Sequence, residues 1–222
     1  MVSVGGKESE ILLCNDREHL LFYIESGCVE FNTGAARSRS IASPDYLVLA
    51  FDMPDNDPVR SEDVIVSIRT ILEGLQLPAF LKADGISGLH IYTPLDTKSG
   101  FDTTREAAEY IGKLIKLRTP DRISLRGIDE YVYGRVTLDL SVNWKEGSVV
   151  APYSLLAGDS VTAAVPLSWD DVEHGLVQES FDEERFVKKL KKDGDPLAAL
   201  FKKKVNAEDL LERLEENYEF LF

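Results

Sequence analysis

The sequence predicts an α+β core followed by a helical C-terminal extension. Residues 46–51 (YLVLAF) form a continuous apolar run, which is typical of a strand buried on both faces. Other stretches with strand-like and helix-like apolar spacing alternate along the chain to about residue 151. From Trp169 onwards the spacing is helical, with apolar residues on one stripe and dense charge elsewhere.

The N-terminal part is predicted to hold two short strands and two helices around the buried strand. Residues 10–14 (EILLC) are expected to form a strand, and Asn15 or Asp16 to cap a helix. Residues 29–31 are expected to form the next strand. Ser61 is a good N-cap for a second helix, whose apolar residues recur at helical spacing. These are Val64, Ile65, Ile68, Ile71, Leu72 and Leu75.

The remaining elements are predicted from the same patterns. Thr103 or Thr104 is expected to open a helix that ends near residue 117. We expect residues 1–178 to form the core and residues 179–222 a helical extension packed on the same domain. The predicted strands are residues 80–82, 89–92, 123–125, 135–142 and 149–151, and the predicted C-terminal helices are residues 181–192 and 207–221.

Composition limits the classes of protein. The 222 residues are 44% hydrophobic and 29% charged, enough to bury one core and stay soluble. No apolar run approaches the ~20 residues that span a membrane, and the first residues lack the apolar stretch of a secretory signal. Two cysteines are too few for a disulfide framework. A cytoplasmic location without a membrane partner is therefore expected.

The charge balance bears on nucleic-acid binding. Asp and Glu number 39 against 25 Lys and Arg, for a net charge of −14. Because Lys and Arg supply most of the affinity for phosphates, this argues against a large duplex-binding surface. A local basic patch remains compatible, and the lysines of residues 188–204 either touch nucleic acid or form solvated helix faces.

The first polar cluster is residues 51–57 (FDMPDND), directly after the buried strand. Hard divalent cations take several carboxylate oxygens that converge on one point. Asp52 and Asp55 are therefore candidate metal ligands. The alternative is a polar turn, since proline and asparagine are common turn residues.

The second cluster is residues 82–90 (KADGISGLH). Gly85 and Gly88 would let the backbone approach a ligand closely, and Ser87 and backbone N–H groups would donate to a phosphate. His90 would project from the following strand. The alternative is a structural hairpin with a satisfied histidine.

The third cluster is residues 134–143 (GRVTLDLSVN). Strand alternation puts Arg135, Thr137, Asp139 and Ser141 on one face. A carboxylate among strand residues is costly unless it is paired or metal-bound. Asp139 is therefore the best single functional candidate on chemistry alone.

These clusters resemble, in order and spacing, the motifs of the polymerase domain of bacterial DNA ligase D, in the archaeo-eukaryotic primase superfamily. Residues 44–52 (PDYLVLAFD), 88–95 (GLHIYTPL) and 134–139 (GRVTLD) carry the resemblance. The most specific stretches are residues 150–155 (VAPYSL) and 165–170 (VPLSWD). The resemblance implies a central, mainly antiparallel sheet flanked by helices.

The resemblance also implies roles for individual residues. Asp52 and Asp139 match the metal-binding catalytic aspartates, and His90 matches a histidine that contacts nucleotide phosphates. Asp55 stands one residue later than the second aspartate of the family's first motif. The implied cofactor is Mg²⁺ or Mn²⁺, which activates a primer hydroxyl and stabilises the triphosphate in nucleotidyl transfer.

Four departures from the family pattern weaken the implied activity. Pro54 stands where the first motif has its second aspartate, and Asn32 stands where the family has a histidine. Ser87 stands where the family has a lysine, and Leu156 stands where it has an arginine near the triphosphate. The sequence therefore favours a nucleotidyltransferase of end-joining repair with reduced or lost activity, and with weakened binding of nucleoside triphosphates and DNA ends. The alternative is a non-catalytic nucleotide-binding or scaffolding module with a repair-protein partner.

Overall fold

The chain contains both helices and strands. A computed structural model describes residues 2–4, 7–9, 11–53, 58–86, 88–157, 161–173 and 183–219. Within these residues the strands are β1 (Val2–Val4), β2 (Lys7–Ser9), β3 (Asn32–Thr33), β4 (Tyr46–Asp52), β5 (Phe80–Ala83), β6 (Gly88–Pro94), β7 (Ile123–Leu125), β8 (Val136–Asp139), β9 (Val149–Val150), β10 (Leu155–Leu156), β11 (Thr162–Ala163) and β12 (Pro166–Leu167). The helices are α1 (Arg17–Glu25), α2 (Pro58–Gly74), α3 (Phe101–Arg118), α4 (Trp169–Glu173), α5 (Glu183–Asp193) and α6 (Ala207–Glu219).

The central sheet has six strands in the order β12-β5-β6-β4-β8-β7. All neighbouring strands are antiparallel except β7 and β8, which are parallel. β4 is a central strand of this sheet: β6 pairs with its whole length on one side, and β8 pairs with its last three residues on the other. The predicted α+β fold with a mainly antiparallel sheet flanked by helices is confirmed.

The two faces of β4 have different surroundings. Leu47, Leu49 and Phe51 are buried in the main core, together with side chains of α2, α3 and α6. Val48 and Ala50 project to the opposite face and pack in a second, smaller cluster. Both faces of β4 therefore need apolar residues, which explains the continuous apolar run in the sequence.

Two of the predicted N-terminal strands are wrong. The described residues 11–14 of the first prediction are not in a strand, and the strand expected at 29–31 is β3 at Asn32–Thr33, paired with β9. An apolar run makes a strand only where a partner strand is available, and the sequence pattern does not show the partner. The predicted cap is confirmed at Asp16, whose Oδ1 accepts a hydrogen bond from the N–H of His19 at 2.8 Å.

The bounds of α2 and β8 also differ from the prediction. α2 begins at Pro58 instead of after Ser61, because proline is well suited to the first helical position. β8 ends at Asp139 instead of residue 142. There Asp139 Oδ1 accepts hydrogen bonds from the N–H and hydroxyl of Ser141, at 2.8 and 2.6 Å, and the chain turns into the 3-10 helix Ser141–Asn143.

The Asn143 side chain continues the ladder where β8 stops. Its Oδ1 accepts a hydrogen bond from the Val48 N–H at 2.8 Å, and its Nδ2 donates to the Val48 carbonyl at 2.7 Å. Asn143 is 1% exposed. A buried amide thus takes the place of a strand residue beside β4.

The C-terminal region includes α6, whose Leu210 and Leu214 are fully buried in the main core alongside residues of α3. In the described part of the chain, every helix falls short of the length and apolar character required to cross a membrane.

Candidate functional site

A row of cross-strand partners brings the second and third clusters together. Lys82 in β5 pairs with His90 in β6, His90 with Ala50 in β4, and Ala50 with Asp139 in β8. Directly opposite residues of neighbouring strands project to the same side of a sheet. His90 and Asp139 therefore flank the small Ala50 side chain on the face opposite the main core.

The next row carries Asp52. Gly88, Asp52, Thr137 and Ser124 are successive partners across β6, β4, β8 and β7. The structure therefore brings Asp52, His90 and Asp139 to one face, as their assignment to one site requires. The other two candidates, Asp55 and Ser87, lie outside the described residues.

Arg126 bridges the two aspartates. Its Nη2 donates a hydrogen bond to Asp52 Oδ2, and its Nε lies 3.0 Å from Asp139 Oδ2. Arg126 was not among the candidates predicted from the sequence, because nothing local marks an arginine that follows a three-residue strand. The parallel pairing of β7 with β8 carries it to the aspartates.

The aspartate pair matches a hard divalent cation in donor type and convergence. Both side chains offer carboxylate oxygens to one cationic group, and Mg²⁺ or Mn²⁺ prefers such oxygens. The described residues contain no cluster of three or more metal-ligating side chains. Burial raises the pKa of Asp52, while the positive charge of Arg126 acts in the opposite direction.

His90 and Lys82 form a buried polar pair beside the carboxylates. His90 is 8% exposed, and its Nδ1 has no hydrogen-bond partner among the described residues. Burial, together with the neighbouring charge of Lys82, lowers the pKa of His90 to about 4. The imidazole is therefore neutral at pH 7 and offers one donor and one acceptor nitrogen.

Lys82 is fully buried, and its Nζ donates a hydrogen bond to the carbonyl of Val150. Burial lowers the pKa of Lys82 to about 7. Its ammonium is thus a weak cation for any phosphate. The hydrogen bond instead ties β5 to β9, at the start of the Val150–Leu155 motif.

The turn between β5 and β6 is shaped by Asp84. Its Oδ1 accepts hydrogen bonds from the N–H groups of Ile86 and Gly88, at 2.7 and 2.8 Å. A Cβ on Gly88 would lie 2.4 Å from Asp84 Oδ2, and one on Gly85 would lie 2.6 Å from Leu156 Cδ1. Both glycines therefore serve close packing inside the protein, which fits the alternative of a structural hairpin.

Leu156, one of the departures from the expected pattern, is a buried apolar residue. It is 7% exposed and packs with Val150 and Ala164 in a small apolar cluster. Leu156 and Gly85 meet across this cluster. Leu156, which the resemblance matches to an arginine position, is thus part of the core in this protein.

The neighbouring motif residues have structural contacts. Ser154 Oγ accepts a hydrogen bond from the N–H of Phe31 at 2.8 Å, and the hydroxyl of Tyr153 donates to Asp195. These bonds join the N-terminal region and the segment after α5 to the sheet. Ser154 and Tyr153 of the most specific sequence match therefore support the fold.

A cleft of about 520 Å³ opens beside the aspartate pair. Its wall includes Asp52, Arg126 and Arg135, with the side chain of Tyr131 at 76% exposure. Arg135 reaches Asp121 at 3.6 Å and makes no ion pair with Asp52 or Asp139 within the described residues. The cleft thus combines carboxylates, guanidinium groups and an exposed aromatic ring.

Comparisons with known proteins agree on one family. The family description "LigD, primase-polymerase domain" matches residues 2–197. The multifunctional non-homologous end joining protein LigD of Pseudomonas aeruginosa is 28% identical over 73% of this chain and 20% of that protein. The bifunctional LigD of Bacillus subtilis is 22% identical over 84% of this chain and 31% of that protein. The chain therefore spans about a fifth to a third of these curated relatives.

One solved structure has the same fold. The polymerase domain of Mycobacterium tuberculosis ligase D, in complex with DNA, superposes with a TM-score of 0.73 and 21% sequence identity. The match covers 84% of this chain and 68% of that one. The sheet and its flanking helices are therefore those of a ligase D polymerase domain.

Proposed function

Because this chain belongs to the family of LigD primase-polymerase domains, we propose that the sheet face with Asp52, His90 and Asp139 is a nucleotidyl-transfer site of end-joining repair with reduced or lost polymerase activity. One observation carries the proposal. Asp52, His90 and Asp139 come from three separate motifs, yet they lie on the same face of the sheet, in neighbouring rows of that face. The strand register places these three residues on one face, although they are far apart in the sequence.

The roles follow from the chemistry of each group. Asp52 and Asp139 would hold Mg²⁺ or Mn²⁺, which in such sites activates the attacking hydroxyl and stabilises the triphosphate charge. The neutral His90 would hydrogen-bond a phosphate oxygen through a ring N–H. DNA ends and nucleoside triphosphates are the proposed substrates.

Three positions support a weakened reaction. Ser87 and Leu156 replace cations, and the buried Leu156 is committed to the core. Asp84 adds a negative charge at the turn before His90. Losing one charge-assisted contact costs roughly 1.5–3 kcal/mol, so two losses lower triphosphate affinity by about 10²–10⁴-fold.

Primer extension on DNA ends tests the proposal. Wild type, Asp139→Asn and Lys113→Gln are compared with Mg²⁺ or Mn²⁺ and with ribo- and deoxyribonucleotides, beside the polymerase domain of Pseudomonas aeruginosa LigD. We expect slow, metal-dependent incorporation that Asp139→Asn abolishes. Lys113→Gln should retain it, because Lys113 lies on α3 and does not line the cleft. Equal incorporation by wild type and Asp139→Asn would refute the assigned site.

A second candidate is a non-catalytic binding module. The net charge of −14 and the burial of Leu156 favour it. It is supported if the active control incorporates nucleotides and wild type incorporates none, while fluorescence anisotropy still detects nucleotide or DNA-end binding by wild type. Its function would then be to bind a repair-protein partner.

A further inference from the structure

The strongest unexplained feature of the site is the position of Arg126 between Asp52 and Asp139. We propose that its guanidinium is a built-in cation that competes with a divalent metal ion for this carboxylate pair. Metal binding then requires that Arg126 leave its two partners. The inference concerns the site of the proposed function but not its turnover.

The contacts of the three side chains support direct competition. Arg126 uses two different nitrogens, Nη2 for Asp52 Oδ2 and Nε for Asp139 Oδ2. It therefore lies at the point where the two carboxylates converge. The second oxygen of Asp139 is already engaged, because it accepts hydrogen bonds from the N–H and hydroxyl of Ser141. Arg126 therefore occupies the Asp139 oxygen that Ser141 leaves available, together with one oxygen of Asp52.

Charge balance explains why the arginine stays there. Two carboxylates in this proximity repel each other, and Asp84 adds to the negative potential at Asp52. A cation relieves this repulsion, and the guanidinium supplies one without any ion from solution. The side chain of Arg126 is 53% exposed, so it has room to swing out when a stronger cation arrives.

Removal of the competitor should strengthen metal binding. A partly exposed ion pair contributes a factor of about two to five to an equilibrium, so losing two of them favours metal by about tenfold. Arg126→Gln keeps much of the side-chain length without the charge. Arg126→Lys keeps a charge but lacks the planar fork that reaches both carboxylates, and should give a smaller gain.

Mn²⁺ titration followed by electron paramagnetic resonance of the free ion tests this, without nucleotide or DNA. Arg135→Gln is the matched control, because it removes the same charge from the same cleft without touching Asp52 or Asp139. We expect about tenfold tighter binding for Arg126→Gln, a smaller gain for Arg126→Lys, and little change for Arg135→Gln. The gain should vanish in Arg126→Gln combined with Asp139→Asn.

Equal Mn²⁺ affinity in wild type and both Arg126 variants would overturn the inference, as would an equal gain in Arg135→Gln. If Arg126→Gln unfolds, seen as loss of its circular-dichroism transition, Arg126→Lys against wild type decides. A failure of primer extension leaves these binding results unchanged, so the competition and the proposed activity are tested separately.

Discussion

The buried lysine of the sheet leads to a quantitative prediction about pH and stability. The pKa of Lys82 is lowered from 10.5 to about 7 by burial. In the unfolded chain this amine takes up a proton below pH 10.5, whereas in the folded protein it does so only near pH 7. The unfolded state therefore binds more protons between these values, and the free energy of unfolding rises with pH across that window.

The magnitude follows from the two pKa values. At 1.36 kcal/mol per pH unit, the burial of Lys82 costs about 4 kcal/mol at pH 7 and about 1 kcal/mol at pH 9.5. Lys82→Met is nearly isosteric and cannot ionise. It loses the hydrogen bond to the Val150 carbonyl, but that loss does not depend on pH. The free energy of unfolding of the variant minus that of wild type should therefore be about 3 kcal/mol higher at pH 7 than at pH 9.5.

Urea denaturation of both proteins at pH 7.0, 8.0, 9.0 and 9.5 measures this difference. Other titrations, such as those of the tyrosines, occur in both proteins and largely cancel. A stability difference that is constant with pH would refute the reasoning, because it would mean that Lys82 keeps an ordinary pKa. Lys113→Met is the surface control for the replacement of a lysine by methionine, since Lys113 lies on α3 and is partly exposed.

Three further predictions concern folding and the site. For His90, stability falls as the pH drops from 6.5 to 4.5, because the unfolded state takes up the proton first; His90→Asn should remove about 2 kcal/mol of this loss in urea titrations. Asn143→Ala leaves both backbone polar groups of Val48 without their partner, and should lower the free energy of unfolding by about 2–4 kcal/mol. Gly85→Ala combines a φ of +89° with a clash against Leu156, so it should cost about 1–3 kcal/mol more than Gly27→Ala, which has only the unfavourable φ of +90°. Thermal melts that rank these two glycine variants equally would contradict the packing role of Gly85.

The individual candidate residues were recognisable from local patterns. Asp52 ends an apolar run, His90 follows a glycine-containing turn, and Asp139 interrupts a strand pattern. Each signal needs only a few neighbouring residues, because strand alternation and turn chemistry act over short distances. The same patterns predicted β4, β6 and α3 near their observed bounds.

The strands that failed did so for a different reason. Residues 10–14 have an apolar pattern, and the described residues 11–14 lack a partner in the sheet. Residues 140–142 continue the strand pattern of β8, yet the carboxylate of Asp139 bends the chain through Ser141. Hydrogen-bond partners of a strand are chosen by the whole fold, which a local pattern does not contain.

By itself, the sequence determined the α+β class, the family and the identity of the acidic and histidine candidates. Only the tertiary structure decided that Lys82, His90 and Asp139 share one row, that Leu156 belongs to the core, and that Arg126 joins the two aspartates. Those relations depend on strand register and on a parallel pairing between distant segments. Register is set by long-range packing. Local sequence patterns therefore identify the candidate residues, but they do not identify the charged residues that those candidates contact.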